Sequence, residues 1–148
     1  MISLKDIMKG RIVVLCLGNV DRGDDGVGPH IAGLLKGKVL CEVIDAGVAP
    51  ENYTGVIKRA KPDTIIIIDA IYFEGRAGEV RIFSGAELRS GKISTHDVSP
   101  KLLMEYLASS TDAKIYIVGI KPGSSKFGEG LSREVAETAQ SLAKCLTL

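Results

Sequence analysis

This sequence has no marked excess of either charge: 19 Lys and Arg stand against 18 Asp and Glu, a net +1, with no basic run or acidic tail. Without a basic field nothing grips a phosphate backbone, so nucleic acid is not expected as a partner. Long hydrophobic runs are missing too. The aliphatic stretch Ile65 to Ile68 stops at Asp69, far short of the ~20 residues a membrane span needs, so no membrane insertion is expected. A secretory signature is also absent: Lys5, Asp6, Lys9, Gly10 and Arg11 precede the first apolar stretch, and no small-residue cleavage site follows it. A cytoplasmic protein is expected. Cysteine is scarce. Cys16, Cys41 and Cys145 are odd in number, far apart and without a C-x-x-C pair, which predicts buried thiols rather than a disulfide or a thiolate zinc site.

The 148 residues are 45% apolar and 25% charged, as in an ordinary globular chain, and are read as a single domain over residues 1–148. A chain of this length typically buries about 68–70% of the surface its unfolded form exposes. It needs no structural metal to fold, so any metal would serve function. Ile12 to Leu17 and Thr64 to Ile68 are continuous and rich in β-branched residues, as strands covered on both faces should be. Val39 to Ile44 and Lys114 to Val118 resemble them more weakly. Helical stretches lie between: Gly28 to Leu35, Glu51 to Lys61, Ser99 to Ala108 and Ser132 to Leu146. The last carries Val135, Ala139, Leu142, Ala143 and Leu146 on one stripe. Glu79 to Phe83 reads as a short extra strand pairing antiparallel at one edge. This alternation predicts an α/β fold, a three-layer open twisted, mostly parallel sheet of about five strands with helices on both faces.

Ligands of such sheets bind outside the carboxyl ends of the strands, so the residues that follow each strand matter most. After the first comes Gly18-Asn19-Val20-Asp21-Arg22-Gly23-Asp24-Asp25-Gly26-Val27-Gly28-Pro29; after the second, Asp45-Ala46-Gly47; after the third, Asp69-Ala70; after the fourth, Ser94-Thr95-His96-Asp97. The first loop is too acidic to cradle phosphate and lacks a G-x-G-x-x-G or Gly-Lys-Ser/Thr sequence. Its adjacent acids suggest divided duties, with Asp24 capping the following helix and Asp25 facing the cleft. Asp69, directly after four isoleucines, must be hydrogen-bonded, metal-bound or protonated, because an unpaired buried carboxylate is costly. Asp45 fits a turn. His30, after Pro29, fits a surface or capping position, whereas His96 sits in a polar loop. Two carboxylates and an imidazole make an oxygen, oxygen, nitrogen set with open positions, compatible with zinc, nickel, iron or manganese.

The loop from Gly18-Asn19 through Asp24-Asp25-Gly26-Val27-Gly28 resembles the G-N-x-x-x-x-D-D-G-x-G signature of the hydrogenase maturation endopeptidases. Ile44-Asp45-Ala46-Gly47 with Pro50-Glu51-Asn52, Ile67-Ile68-Asp69-Ala70, Gly78-Glu79-Val80-Arg81, Ser94-Thr95-His96 and Gly119-Ile120-Lys121-Pro122 continue the likeness in order along nearly the whole chain. The Pro-Glu-Asn and Gly-Ile-x-Pro segments are most similar to the hydrogenase-3 branch. Asp97 departs from the asparagine common after this histidine, and Lys121 stands where some relatives have glutamine. The resemblance implies an endopeptidase that makes one cut near the C-terminus of a nickel-iron hydrogenase large-subunit precursor. The partner is then the nickel-loaded precursor, and nickel arrives on the substrate, so that the resting enzyme need hold no metal. Asp25, Asp69 and His96 occupy the family's metal-contacting and catalytic positions. A non-enzymatic metal-binding chaperone for the same precursor is the alternative reading.

Overall fold

The computed structural model of the protein describes residues 2–90, 93–94 and 99–147. Within them β1 (Ile12–Leu17), β2 (Glu42–Gly47), β3 (Thr64–Ala70), β4 (Val80–Ser84) and β5 (Lys114–Ile120) form one sheet in the order β2-β1-β3-β5-β4. All neighbours are parallel except the β4–β5 pair at the edge, as the sequence led us to expect. The helices are α1 (Leu4–Ile7), α2 (Val27–Leu35), α3 (Thr54–Ala60), α4 (Gly85–Arg89), α5 (Pro100–Ser110) and α6 (Arg133–Leu146).

Strand alternation sends successive side chains to opposite layers. Val14 and Cys16 of β1 and Ile66 and Ile68 of β3 pack with α2 and α6 through Ile31, Leu35, Val135 and Ala139. Val13 and Leu15, with Ile65 and Ile67, pack on the other face against Ile57 of α3, Leu88 of α4 and Leu103 and Leu107 of α5. This two-sided cover explains why β1 and β3 read as unbroken apolar runs. In α6 the stripe of Val135, Ala139, Leu142, Ala143 and Leu146 is the buried face.

Several boundaries differ from the sequence reading, among them the helix expected from Glu51, which is a 3-10 turn over Pro50–Tyr53 before α3 begins at Thr54. β2 starts at Glu42 rather than Val39 and runs to Gly47, so Asp45 lies inside the strand; Val39 to Cys41 instead link it to the end of α2, with Leu40 exposed. β3 and β5 likewise run two residues further than expected, pairing Asp69 with Gly119 and Ala70 with Ile120. Finally, β4 does not lead straight into the histidine loop. Ser84 and Glu87 form a capping box and start α4, a signal of the S-x-x-E kind that marks a helix start.

The chain reverses its winding at β1. From there it moves outward to β2, then crosses back to lay β3 on the other flank. The loop after β1 therefore meets the end of β3 at the switch point of the sheet, where loops diverge and leave a crevice. Among the described residues no helix is long and apolar enough to cross a membrane.

Candidate functional site

Glycine allows the loop after β1 to fold back over the strand ends. Gly18 has φ +145°, and a Cβ there would meet the Asp25 carbonyl oxygen at 2.0 Å; a Cβ on Gly28 would lie 2.0 Å from the Leu17 carbonyl oxygen and 2.8 Å from that of Ile68. No side chain fits either gap. The start of α2 thus sits directly on the ends of β1 and β3. Between these glycines residues Gly23–Gly26 make a 3-10 turn that packs against β3.

Asp25 is fully buried in this turn. The Asn19 N–H donates to both its Oδ2 and its carbonyl oxygen, each at 3.1 Å. Asp69, 3% exposed, accepts the Ala70 N–H at 2.8 Å through Oδ1. The carboxylate is thus hydrogen-bonded at the strand's end, one of the states its burial demanded. Two of the three proposed ligand residues are therefore buried acids on adjoining elements at the switch point.

His96 lies outside the described residues, as do Thr95 and Asp97. Both flanks of that segment are described. The Tyr72 N–H donates to the Ser94 carbonyl oxygen at 2.9 Å, forming an isolated bridge three residues past Asp69. Ser99 caps α5, accepting the Leu102 N–H through its side chain. Among the described residues, no group of three His, Cys, Asp or Glu side chains is gathered tightly enough to hold a metal ion.

Asp24 does not cap α2, contrary to expectation. The residue at that cap is Gly26, with no side-chain hydrogen bond. Asp24 is fully buried and turns instead toward the far end of the chain. Its Oδ2 accepts the N–H groups of Gly123 at 2.7 Å and Ser124 at 3.1 Å and the Ser132 hydroxyl at 2.9 Å; its Oδ1 accepts the Ser132 N–H at 2.6 Å. No local pattern reveals this, because the partners lie about a hundred residues downstream.

Asp45 is exposed within β2 rather than in a turn, and its Oδ1 accepts the N–H of Gly47, the strand's last residue, at 3.3 Å. With exposed His30 it borders a surface cavity of about 360 Å³ beside the first loop. Lys121, after β5, holds its ammonium 5.9 Å from the Tyr72 ring centroid, and the Tyr72 hydroxyl bonds the Ser125 hydroxyl at 2.7 Å. These rim contacts went unread in the sequence, since nothing local joins Tyr72 to residues some fifty positions later.

The cysteines divide rather than all being buried: Cys16 is buried, Cys41 half-buried and Cys145 exposed, and all three are free. Burial, then the charges of Asp45 and Asp69, push the Cys16 thiol up to about 12. A thiol held protonated in this way is no nucleophile.

Known proteins match this architecture. A family model described as hydrogenase maturation protease matches residues 30–147. The chain is similar to the hydrogenase 3 maturation protease of Escherichia coli, at 30% identity over 135 residues covering 88% of this chain and 85% of that one. It is similar to a crystal structure of a [NiFe] hydrogenase maturation protease from Thermococcus kodakarensis KOD1, with 34% identity, 97% and 96% of the two chains covered and a TM-score of 0.86. A solution structure of an endopeptidase from Escherichia coli aligns with 27% identity, 93% and 90% coverage and a TM-score of 0.82.

Proposed function

The chain belongs to the hydrogenase maturation proteases and is a peptidase, and from that premise we propose that it removes a C-terminal peptide from a nickel-iron hydrogenase large-subunit precursor once nickel has been inserted. What supports this reading is that the turn carrying buried Asp25 packs against β3, whose penultimate residue is buried Asp69, at the switch point of the sheet. Membership of a protease family sets the chaperone alternative aside.

Asp25, Asp69 and His96 contribute two oxygen donors and one nitrogen donor toward nickel that the precursor brings with it. The set is compatible with that ion, as it is with zinc, iron or manganese, and the imidazole is the donor that suits it best. A precursor without nickel leaves the shared coordination incomplete and is passed over, so metal loading becomes a test of substrate identity. Bound nickel supplies Lewis acidity to the scissile carbonyl or to the attacking water. Asp25 or Asp69 takes the proton of that water. The free thiols, including exposed Cys145, fit a reducing cytoplasm.

Incubation with nickel-loaded and nickel-free precursor, followed by mass spectrometry, tests the reading. Only the loaded form should lose its C-terminal peptide; equal cleavage of both would refute metal gating. Asp25→Ala, Asp69→Ala and His96→Ala should each abolish processing while unfolding as cooperatively as the parent. Full activity in any of the three removes that residue from the site.

A further inference from the structure

Among the described residues, one buried acid, Asp24, has no part in that chemistry. We propose that Asp24 is a positioning residue: by clamping the turn Gly23–Gly26 to segment 123–132, it sets where the neighbouring Asp25 carboxylate points. This rests on the reading of Asp25 as a group that contacts the precursor's nickel.

The clamp has two layers. In the backbone, the Asp24 N–H donates to the Ser124 carbonyl oxygen at 2.8 Å, the Gly23 N–H to that of Glu129 at 3.0 Å, and the Gly128 N–H to that of Asp21 at 2.7 Å. The side chain adds the four bonds from Gly123, Ser124 and Ser132. All four are donors, so the space is built for acceptors at both oxygens. Burial makes this strict, because each donor left unmatched loses its bond to water as well.

Helix stability does not account for the arrangement. Ser132 already caps α6, its side chain accepting the Val135 N–H, so the bonds to Asp24 come in addition to the helix's own cap. What does need stiffening is the turn. Gly23, with φ +52°, opens it and Gly26 closes it, and glycines give a backbone little resistance of its own. Gly18 and Asn19 hold Asp25 from one side. The Asp24 clamp holds it from the other. A displacement of about 1 Å caused by a change away from the chemistry can cost about 100-fold in rate.

The test is steady-state processing of nickel-loaded large-subunit precursor, with thermal unfolding of each enzyme, for the parent, Asp24→Asn, Ser132→Gly and Asp25→Ala. Asparagine turns an NH2 group toward donors, and Ser132→Gly removes one donor while leaving an accepted helix cap. We expect kcat to fall about 100-fold for Asp24→Asn and about tenfold for Ser132→Gly, with KM within about threefold of the parent. A clamp serving the fold alone would lower both melting temperatures and leave kcat of the folded enzymes unchanged. That result, with Asp25→Ala inactive, overturns the clamp and leaves the site reading standing. Should Asp24→Asn fail to fold, Ser132→Gly decides by the same criterion. Full processing by Asp25→Ala overturns the site reading itself and the clamp with it.

Discussion

Asp24 and Asp25 are neighbours of one chemical type, yet they face different parts of the molecule. A 3-10 turn advances its side chains by about 120° per residue, so Asp24 reaches the loop after β5 while the Asp25 carboxylate accepts the Asn19 N–H. The sequence divides their duties but assigns Asp24 the wrong partner, since its actual partners come from residues 123–132. Asp69 was far easier to read, because four isoleucines before it announce a buried strand and a carboxylate there needs a reason. The cysteines show the same contrast. Their spacing rightly argued against a disulfide but said nothing of depth, and Cys145 falls on the outer side of α6. Brief alkylation of the native protein at mildly alkaline pH should therefore label Cys145 first and Cys41 more slowly. Cys16, buried and with its thiol pushed up to about 12, should react only after denaturant is added; peptide mass spectrometry reads the order, and early labelling of Cys16 would contradict its burial.

Two glycines of α2 make opposite demands on that helix. Gly28 touches strand-end carbonyls, with the nearest oxygen 2.0 Å from where a Cβ would stand, and backbone cannot step aside as a side chain can. Gly28→Ala should lose about 3 kcal/mol or more of stability. Gly33 is exposed with nothing within 4 Å of its would-be Cβ, so Gly33→Ala should gain about 0.5–1 kcal/mol from helix propensity alone. Urea unfolding measures both, and equal effects would show that the approach at Gly28 is not a constraint. At this scale most elements were legible, because apolar runs and the stripe of α6 are short-range patterns. Edges were not. The strands end where their ladder partners end, as in β3 and β5, and only the assembled sheet supplies that information. The Ser84–Glu87 box of α4 was visible and unread.

Across the molecule, packing is heaviest at the centre of the sheet. All seven residues of β3 are buried, whereas β2 and β4 are edge strands with mixed exposure. Hydrogen exchange should accordingly be slowest in β3 and faster in β2, β4 and segment 123–131. Amides of β4 outlasting those of β3 would reverse that ranking. The order of the sheet was only partly readable: alternation pointed to parallel strands, but placing β3 beside β1 rather than beyond β2 depends on contacts far apart in sequence. That crossing governs timing as well as shape. Asp25 and Asp69 are translated before β5 exists, yet the turn that carries the first packs on the strand that carries the second only when β3 is seated against β1. On the proposed reading, a nascent or half-melted copy owns both acids without that packing, and processing waits for its own folding to finish.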